Sequence, residues 1–161
     1  MPMVTAVTGA RRVIVMGDAM IDIIARHAGP IAWGSDTVAQ IASRHGGAGS
    51  NVAHWLAHLG VPVTLSVAVG DDAAGQAVLA ALAGAGVDVR ARYVEDVPTG
   101  CLVVLVAPDG ERTFIGDQGA NAHHPDVDVP AGARHLHVSG YVVHAPSNRE
   151  VTARAIAAAR A

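Results

Sequence analysis

Apolar runs closed by glycine recur along the chain and alternate with stretches of helical period. Val13-Ile14-Val15-Met16, ended by Gly17, has no polar alternation, which marks a strand buried on both faces. Residues 63–69, closed by Gly70, predict a second such strand, residues 90–94 a short one and residues 135–139 another. Between them Val52, Leu56 and Leu59, spaced i, i+4, i+7, form the apolar stripe of a helix that Gly60 is placed to end. A second helix shows Ala74, Val78, Ala81 and Leu82 on one face, with Asp71 or Asp72 as its cap and Gly84-Ala85-Gly86 as its stop. Ser147 or Asn148 caps a final helix from Arg149 onward. Buried strands alternating with helices imply an α/β protein with a parallel sheet.

Other segments do not fit that layer. Residues 21–24 are apolar around Asp22, Gly29-Pro30 makes a turn, and residues 31–42 read as extended with a turn at Gly34-Ser35-Asp36. Residues 100–107 and 112–115 flank Pro108-Asp109-Gly110, where Asp-Gly favours a hairpin. These pieces predict a small β subdomain, with lid segments near 31–42 and 100–115. Residues 1–11 read as a disordered lead and 12–161 as one domain. The last helix stops at Ala161 without a cap or a following strand, so the expectation is an N-terminal portion whose C-terminal part is missing.

Composition narrows the chemistry. The chain has 161 residues, half of them apolar but only 3% aromatic, so its core must be Ala, Val, Leu and Ile. A net charge of −3, with no basic cluster apart from Arg11-Arg12, argues against nucleic acid or an anionic membrane as partner. There is no lysine, which excludes a Schiff-base lysine and a Walker-A loop. The single cysteine, Cys101, excludes an internal disulfide and a Cys-based zinc site, and reads as a buried small hydrophobe. No stretch reaches membrane-spanning length and the N-terminus lacks a signal-peptide h-region, so a cytoplasmic protein is expected. Nine histidines occur, six of them as the pairs His54/His58, His123/His124 and His135/His137 without a third ligand nearby; no metal site is expected.

Two segments can carry binding. Three glycines in His45-Gly46-Gly47-Ala48-Gly49-Ser50-Asn51 precede a helix, an arrangement for a ligand loop or for a tight strand-to-helix turn. It is not a dinucleotide fingerprint, because the third glycine would fall at Val52. Asp18 and Asp22 follow the first buried strand, where α/β sheets bind ligands. An ionised carboxylate only accepts hydrogen bonds and so suits paired hydroxyls, Asp22 more than Asp18; each also reads as a loop or turn carboxylate.

Together these segments resemble the start of a PfkB-type (ribokinase-like) carbohydrate kinase. The resemblance rests on Gly17-Asp18-Ala19-Met20-Ile21-Asp22 and Gly46-Gly47-Ala48-Gly49-Ser50-Asn51, and continues in order. Leu59-Gly60, Val69-Gly70-Asp71-Asp72, Gly86-Val87-Asp88, Pro98-Thr99-Gly100, Gly110-Glu111-Arg112 and Gly119-Ala120-Asn121 follow at the family's approximate spacing. It implies a Rossmann-like three-layer α/β/α sheet with a small β-sheet lid. It implies ATP-dependent phosphorylation of a sugar hydroxyl, with Mg, in the complete enzyme. Asp22, Gly46, Gly47 and Asn51 would bind the sugar, with Asp18 beside them. Met20 stands where ribokinases have Asn and Ala48 where they have Lys, so a sugar other than ribose, or a nucleoside, is an equal expectation.

The family's second signature, Gly-Ala-Gly-Asp, supplies the anion hole and the catalytic base. Here Gly-Ala-Gly occurs at 47–49 and 84–86, followed by Ser50 and Val87. No catalytic residue is therefore assigned, and the 161 residues are expected to be inactive alone and to need no cofactor. A non-catalytic, sugar-binding half that pairs as a homodimer through the lid is the competing expectation.

Overall fold

The computed structural model describes residues 12–130 and 133–161. The expected disordered lead at 1–11 lies outside the described residues. Two four-stranded sheets organise the chain. The first has the order β5-β4-β1-β8, from β1 (Val13–Met16), β4 (Val63–Gly70), β5 (Asp88–Val94) and β8 (His135–Val138). All its neighbours are parallel, with Val13 opposite both Val63 and His135. Helices α1 (Ala48–His58) and α2 (Ala73–Gly84) bury Ala53, Val78, Leu79 and Leu82 in one core with Val15, Leu65, Val67 and Val69. Helix α4 (Arg149–Arg160) buries Val151 and Ala155 with Met16 and Val142, the latter from the short helix α3 (Gly140–His144). The apolar runs thus form a parallel sheet with helices packed on it, as the pattern predicted.

The second sheet has the order β3-β2-β6-β7: β2 (Met20–His27), β3 (Ala39–Gly46), β6 (Gly100–Val106) and β7 (Arg112–Asp117). β2 runs antiparallel to β3 and parallel to β6, and β6 and β7 form a hairpin. Gly110, at φ +89°, turns that hairpin. The small β subdomain uses more of the chain than the turn signals suggested. Residues 20–27 are one of its central strands, and its strand after the 29–30 turn begins only at Ala39. Residues 31–38 are loop.

Four local expectations are corrected. Leu59 follows α1 and is exposed, so Val52, Ala53 and Leu56 make that helix's buried stripe. Ala81 faces solvent; Gly75, Val78, Leu79 and Leu82 form the inner face of α2. Cys101 is half-buried. Asn148 occupies the cap position of α4 but makes no capping bond, because its side chain is used elsewhere. Among the described residues no helix is long and apolar enough to cross a membrane.

Candidate functional site

The two sheets are joined by Gly17-Asp18-Ala19, which carries the chain from β1 directly into β2. At this junction β1 touches the start of α1. A Cβ on Gly17 would lie 2.6 Å from the Gly49 Cα, so both glycines are required by close approach. Gly47, at φ +103° and ψ 130°, occupies the cap position of α1 in a region open to glycine, and a Cβ there would strike the Asp18 carbonyl.

Asp18 is 3% exposed. Its Oδ2 accepts from the Ala48 N–H at 2.8 Å, and its Oδ1 from the Gly49 N–H at 3.0 Å and the Ser139 hydroxyl at 2.7 Å. The Asp18 carbonyl accepts from both the backbone N–H and the hydroxyl of Ser50. A carboxylate at a helix N-terminus satisfies otherwise unpaired donors there.

Asp22 is the opposite case. Its Oδ1 is buried and has no hydrogen-bond partner. Burial, and then the nearby Asp18 carboxylate, push its pKa above the usual carboxylate value. Arg44 pairs with it across the strands, yet the Arg44 guanidinium donates to the Ser43 carbonyl instead. Gly46 makes room for this carboxylate, since a Cβ on Gly46 would overlap Asp22 Oδ1.

Asp18, Asp22, Gly47 and Asn51 line one cleft of about 380 Å³. Four of the five candidate residues are therefore brought together; Gly46 lies under Asp22 and lines an adjoining cleft of about 300 Å³. The larger cleft is also lined by Met20, Leu102, Phe114 and Tyr141, of which sequence reasoning noted only Met20. Strand alternation explains the lid contribution: Met20 and Asp22 are two apart on β2, Leu102 pairs with Asp22, and Gly116 pairs with Leu102.

A second set of residues holds the junction from behind. Asn121 accepts from the Ala19 N–H and donates to the Ala19 carbonyl, both at 3.0 Å. Asn148 donates to the carbonyls of Asn121 and Val142 and accepts from the His124 N–H. Sequence reasoning included Asn121 only as part of Gly119-Ala120-Asn121. A buried asparagine that fixes a distant backbone leaves no other sequence signal.

Comparison with known proteins shows the family and the fold. The model of the pfkB family carbohydrate kinases matches residues 10–161. Ribokinase from Cryptococcus neoformans var. grubii serotype A, solved with ADP, superposes with a TM-score of 0.71 at 32% identity. That match covers 81% of this chain and 41% of the ribokinase. Arabidopsis thaliana ribokinase, solved with ribose and ATP, gives 0.68 at 28% identity over 80% of this chain and 45% of the ribokinase. The bifunctional protein HldE of Ectopseudomonas mendocina (strain ymp) is 33% identical over 89% of this chain and 32% of HldE. The chain belongs to the PfkB family of carbohydrate kinases. It spans about a third of the curated relative's length and about two fifths of these ribokinases'.

Proposed function

We propose that these residues form the acceptor side of a PfkB carbohydrate kinase, the part that holds the hydroxyl-bearing substrate for phosphorylation by ATP. The observation that carries this is Asp22. A buried acceptor oxygen without a donor costs about 1–3 kcal/mol; Asp22 carries one and lines the cleft, so a ligand hydroxyl donating to its carboxylate would offset that cost. Asn51, in the first turn of α1, adds an amide with both donor and acceptor character. Asp18 positions the loop; its oxygens already serve three protein donors.

The nucleotide and Mg belong to the whole-family reading, and the described cleft does not fit the nucleotide. It carries Asp18, Asp22 and Asp117 and no cationic side chain, the reverse of what a polyphosphate requires. The 161 residues also contain no Gly-Ala-Gly-Asp. We therefore expect them to bind the acceptor without turnover.

Titration calorimetry of the chain with a panel of sugars and nucleosides tests the first part. Binding abolished by Asp22→Ala is the expected result, and affinity unchanged in that variant would overturn the assignment. Incubation with ATP, magnesium and the same panel tests the second; protein-dependent sugar phosphate would overturn it.

A further inference from the structure

We propose that Asn121 is a positioning residue for the acceptor: its amide seats the root of β2 on the parallel sheet and so holds the Asp22 carboxylate on the cleft wall. This rests on the reading that Asp22 holds an acceptor hydroxyl.

Within the lid, β2 is fixed by its ladders to β3 and β6. Those ladders do not fix how the lid sits on the parallel sheet. Ala19 is the last residue before β2 and is fully buried. One side chain serves both of its backbone groups, since Asn121 accepts from the Ala19 N–H and donates to the Ala19 carbonyl. A short carboxamide offers one acceptor and one donor side by side, the exchange that a neighbouring strand would supply.

Asn121 is itself anchored on the parallel sheet. It lies in the 3-10 turn Gly119–His123 that follows β7, and is 4% exposed. Ala120 beside it is buried with Ala68 of β4 and Val94 of β5. The Ala120 N–H donates to the Pro98 carbonyl at 2.9 Å, and the Asn121 carbonyl accepts from Asn148 Nδ2 at 2.8 Å. A glycine keeps the space for the amide clear. A Cβ on Gly100, which opens β6 opposite Met20, would strike Asn121 Nδ2.

Between Ala19 and Asp22 stand only Met20 and Ile21. Met20 and Asp22 line the cleft, whereas Ile21 packs on the main core, as strand alternation requires. A tilt of the chain at Ala19 is therefore carried straight to Asp22. The Asp22 Oδ1 has no hydrogen bond of its own to resist it.

The test compares Asn121→Ala with Val151→Ala, a core variant on α4 that leaves the junction alone. Carboxyl NMR follows the titration of Asp22 in each. Burial first, and Asp18 second, raise the Asp22 pKa; a lid unseated at Ala19 exposes the group, so in Asn121→Ala its titration should fall back toward 3.8. Val151→Ala should keep the parent titration. Calorimetry with ribose, fructose and adenosine should show whichever of them the parent binds held about tenfold or more weakly by Asn121→Ala, and as tightly as before by Val151→Ala. An unchanged Asp22 titration or an unchanged affinity in folded Asn121→Ala would overturn the proposal. If Asn121→Ala does not fold, Asn121→Asp decides. A protonated carboxyl also pairs one donor with one acceptor, whereas a carboxylate only accepts and repels the Ala19 carbonyl. The Gly46 and Gly100 amide signals of that variant should match the parent's at about pH 4.5 and depart from them at about pH 8. Signals that track the parent's at both would overturn the proposal. No binding of the three probes by the folded parent would overturn the acceptor reading, and the Asp22 titration would still decide whether Asn121 places that carboxylate.

Discussion

The Ser139 hydroxyl donates to Asp18 Oδ1 at 2.7 Å, a contact that spans 121 residues and ties the end of β8 to the end of β1. The same carboxylate holds the start of α1 through the Ala48 and Gly49 N–H groups. Three elements of the site thus share one buried anion. Asp18→Ala would leave three donors unsatisfied in the interior, so it should destabilise the chain by about 3–5 kcal/mol. Ser139→Ala removes one of the three and should cost about 1–2 kcal/mol. Denaturant unfolding of the three proteins measures this. Equal stability of Asp18→Ala and the parent would show that the anion does not hold the junction.

Asp22 should behave in the opposite sense. Its folded pKa is raised, by burial first and by Asp18 second. A raised carboxylate pKa means the folded state binds the proton more tightly than the unfolded one. That contribution is favourable below the unfolded value of 3.8 and is lost as pH rises through the folded pKa. At neutral pH Asp22 therefore costs stability. Asp22→Asn should raise the thermal midpoint at pH 7 by about 2 °C while weakening acceptor binding at least tenfold. A lower midpoint with binding intact would reverse the assignment. A functional group that lowers stability is the expected signature of a site residue.

The parallel sheet and the hairpin were legible because burial and turns leave patterns in single segments. Val13-Ile14-Val15-Met16 has to be a strand buried on both faces, and Asp109-Gly110 has to turn. The glycine loop was legible as a loop, but the reason for each glycine was not: Gly46 answers to Asp22, and Gly47 to the carbonyl of Asp18. The different fates of Asp18 and Asp22 were hidden for the same reason, since the donors that occupy Asp18 come from residues 48, 49 and 139. Phe114 and Tyr141 escaped notice because nothing in their own segments links them to Asp22: the lid register sets Phe114 on the face that carries Asp22, and the fold brings Tyr141 of α3 to the same cleft. Asn148 looked like a helix cap, and only the fold shows its amide spent on Asn121, Val142 and His124.

Acid should weaken the fold in two stages. His124 is buried, with Nε2 at 2.9 Å from the Ser66 carbonyl and Nδ1 at 2.9 Å from the Pro125 carbonyl. Burial lowers its pKa, and the upward pull of these carbonyls, of Gly17 and of Asp18 does not restore it. The unfolded chain then takes the proton first, so stability falls as pH drops below the unfolded value of 6.5. Asp72 adds a lower stage. Burial pushes it up, but hydrogen bonds from the Thr99 and Gly75 N–H groups and the Thr99 hydroxyl outweigh that and hold it below 3.8. Its stabilisation is present above 3.8 and lost as pH falls through the folded value. Thermal melts should therefore decline from pH 7.5 to 5.5 and again below 4. In His124→Leu, where the Ser66 carbonyl keeps the Gly17 N–H, the first decline should disappear. A first decline of unchanged size in that variant would assign it to another group.

The lid should pair with a second copy of itself. Alternation divides its residues between two faces. The face opposite Asp22 carries Ile23 beside Val103, with Ile115 across from Val103, and Ala25 between Ile41 and Leu105. At the near end of this face Ile21 packs on the main core. Farther out Ile41 is 70% and Ile115 60% exposed, and Trp33 and Val38 in the preceding loop are more exposed still. β3 and β7, which carry these isoleucines, are also the two edges of the sheet, so unpaired backbone groups border the apolar surface. An open edge beside exposed apolar side chains favours association over solvation. A second copy is the natural partner because a two-fold arrangement lets each lid cover the other with the same residues. Sedimentation should show a concentration-dependent monomer–dimer equilibrium. Replacing Ile41 and Ile115 together by Asp should move its midpoint upward by about tenfold or more in concentration. The circular dichroism spectrum should not change, since both positions are exposed. A parent chain monomeric throughout, or a dimer indifferent to the double substitution, would show that the lid does not form the interface.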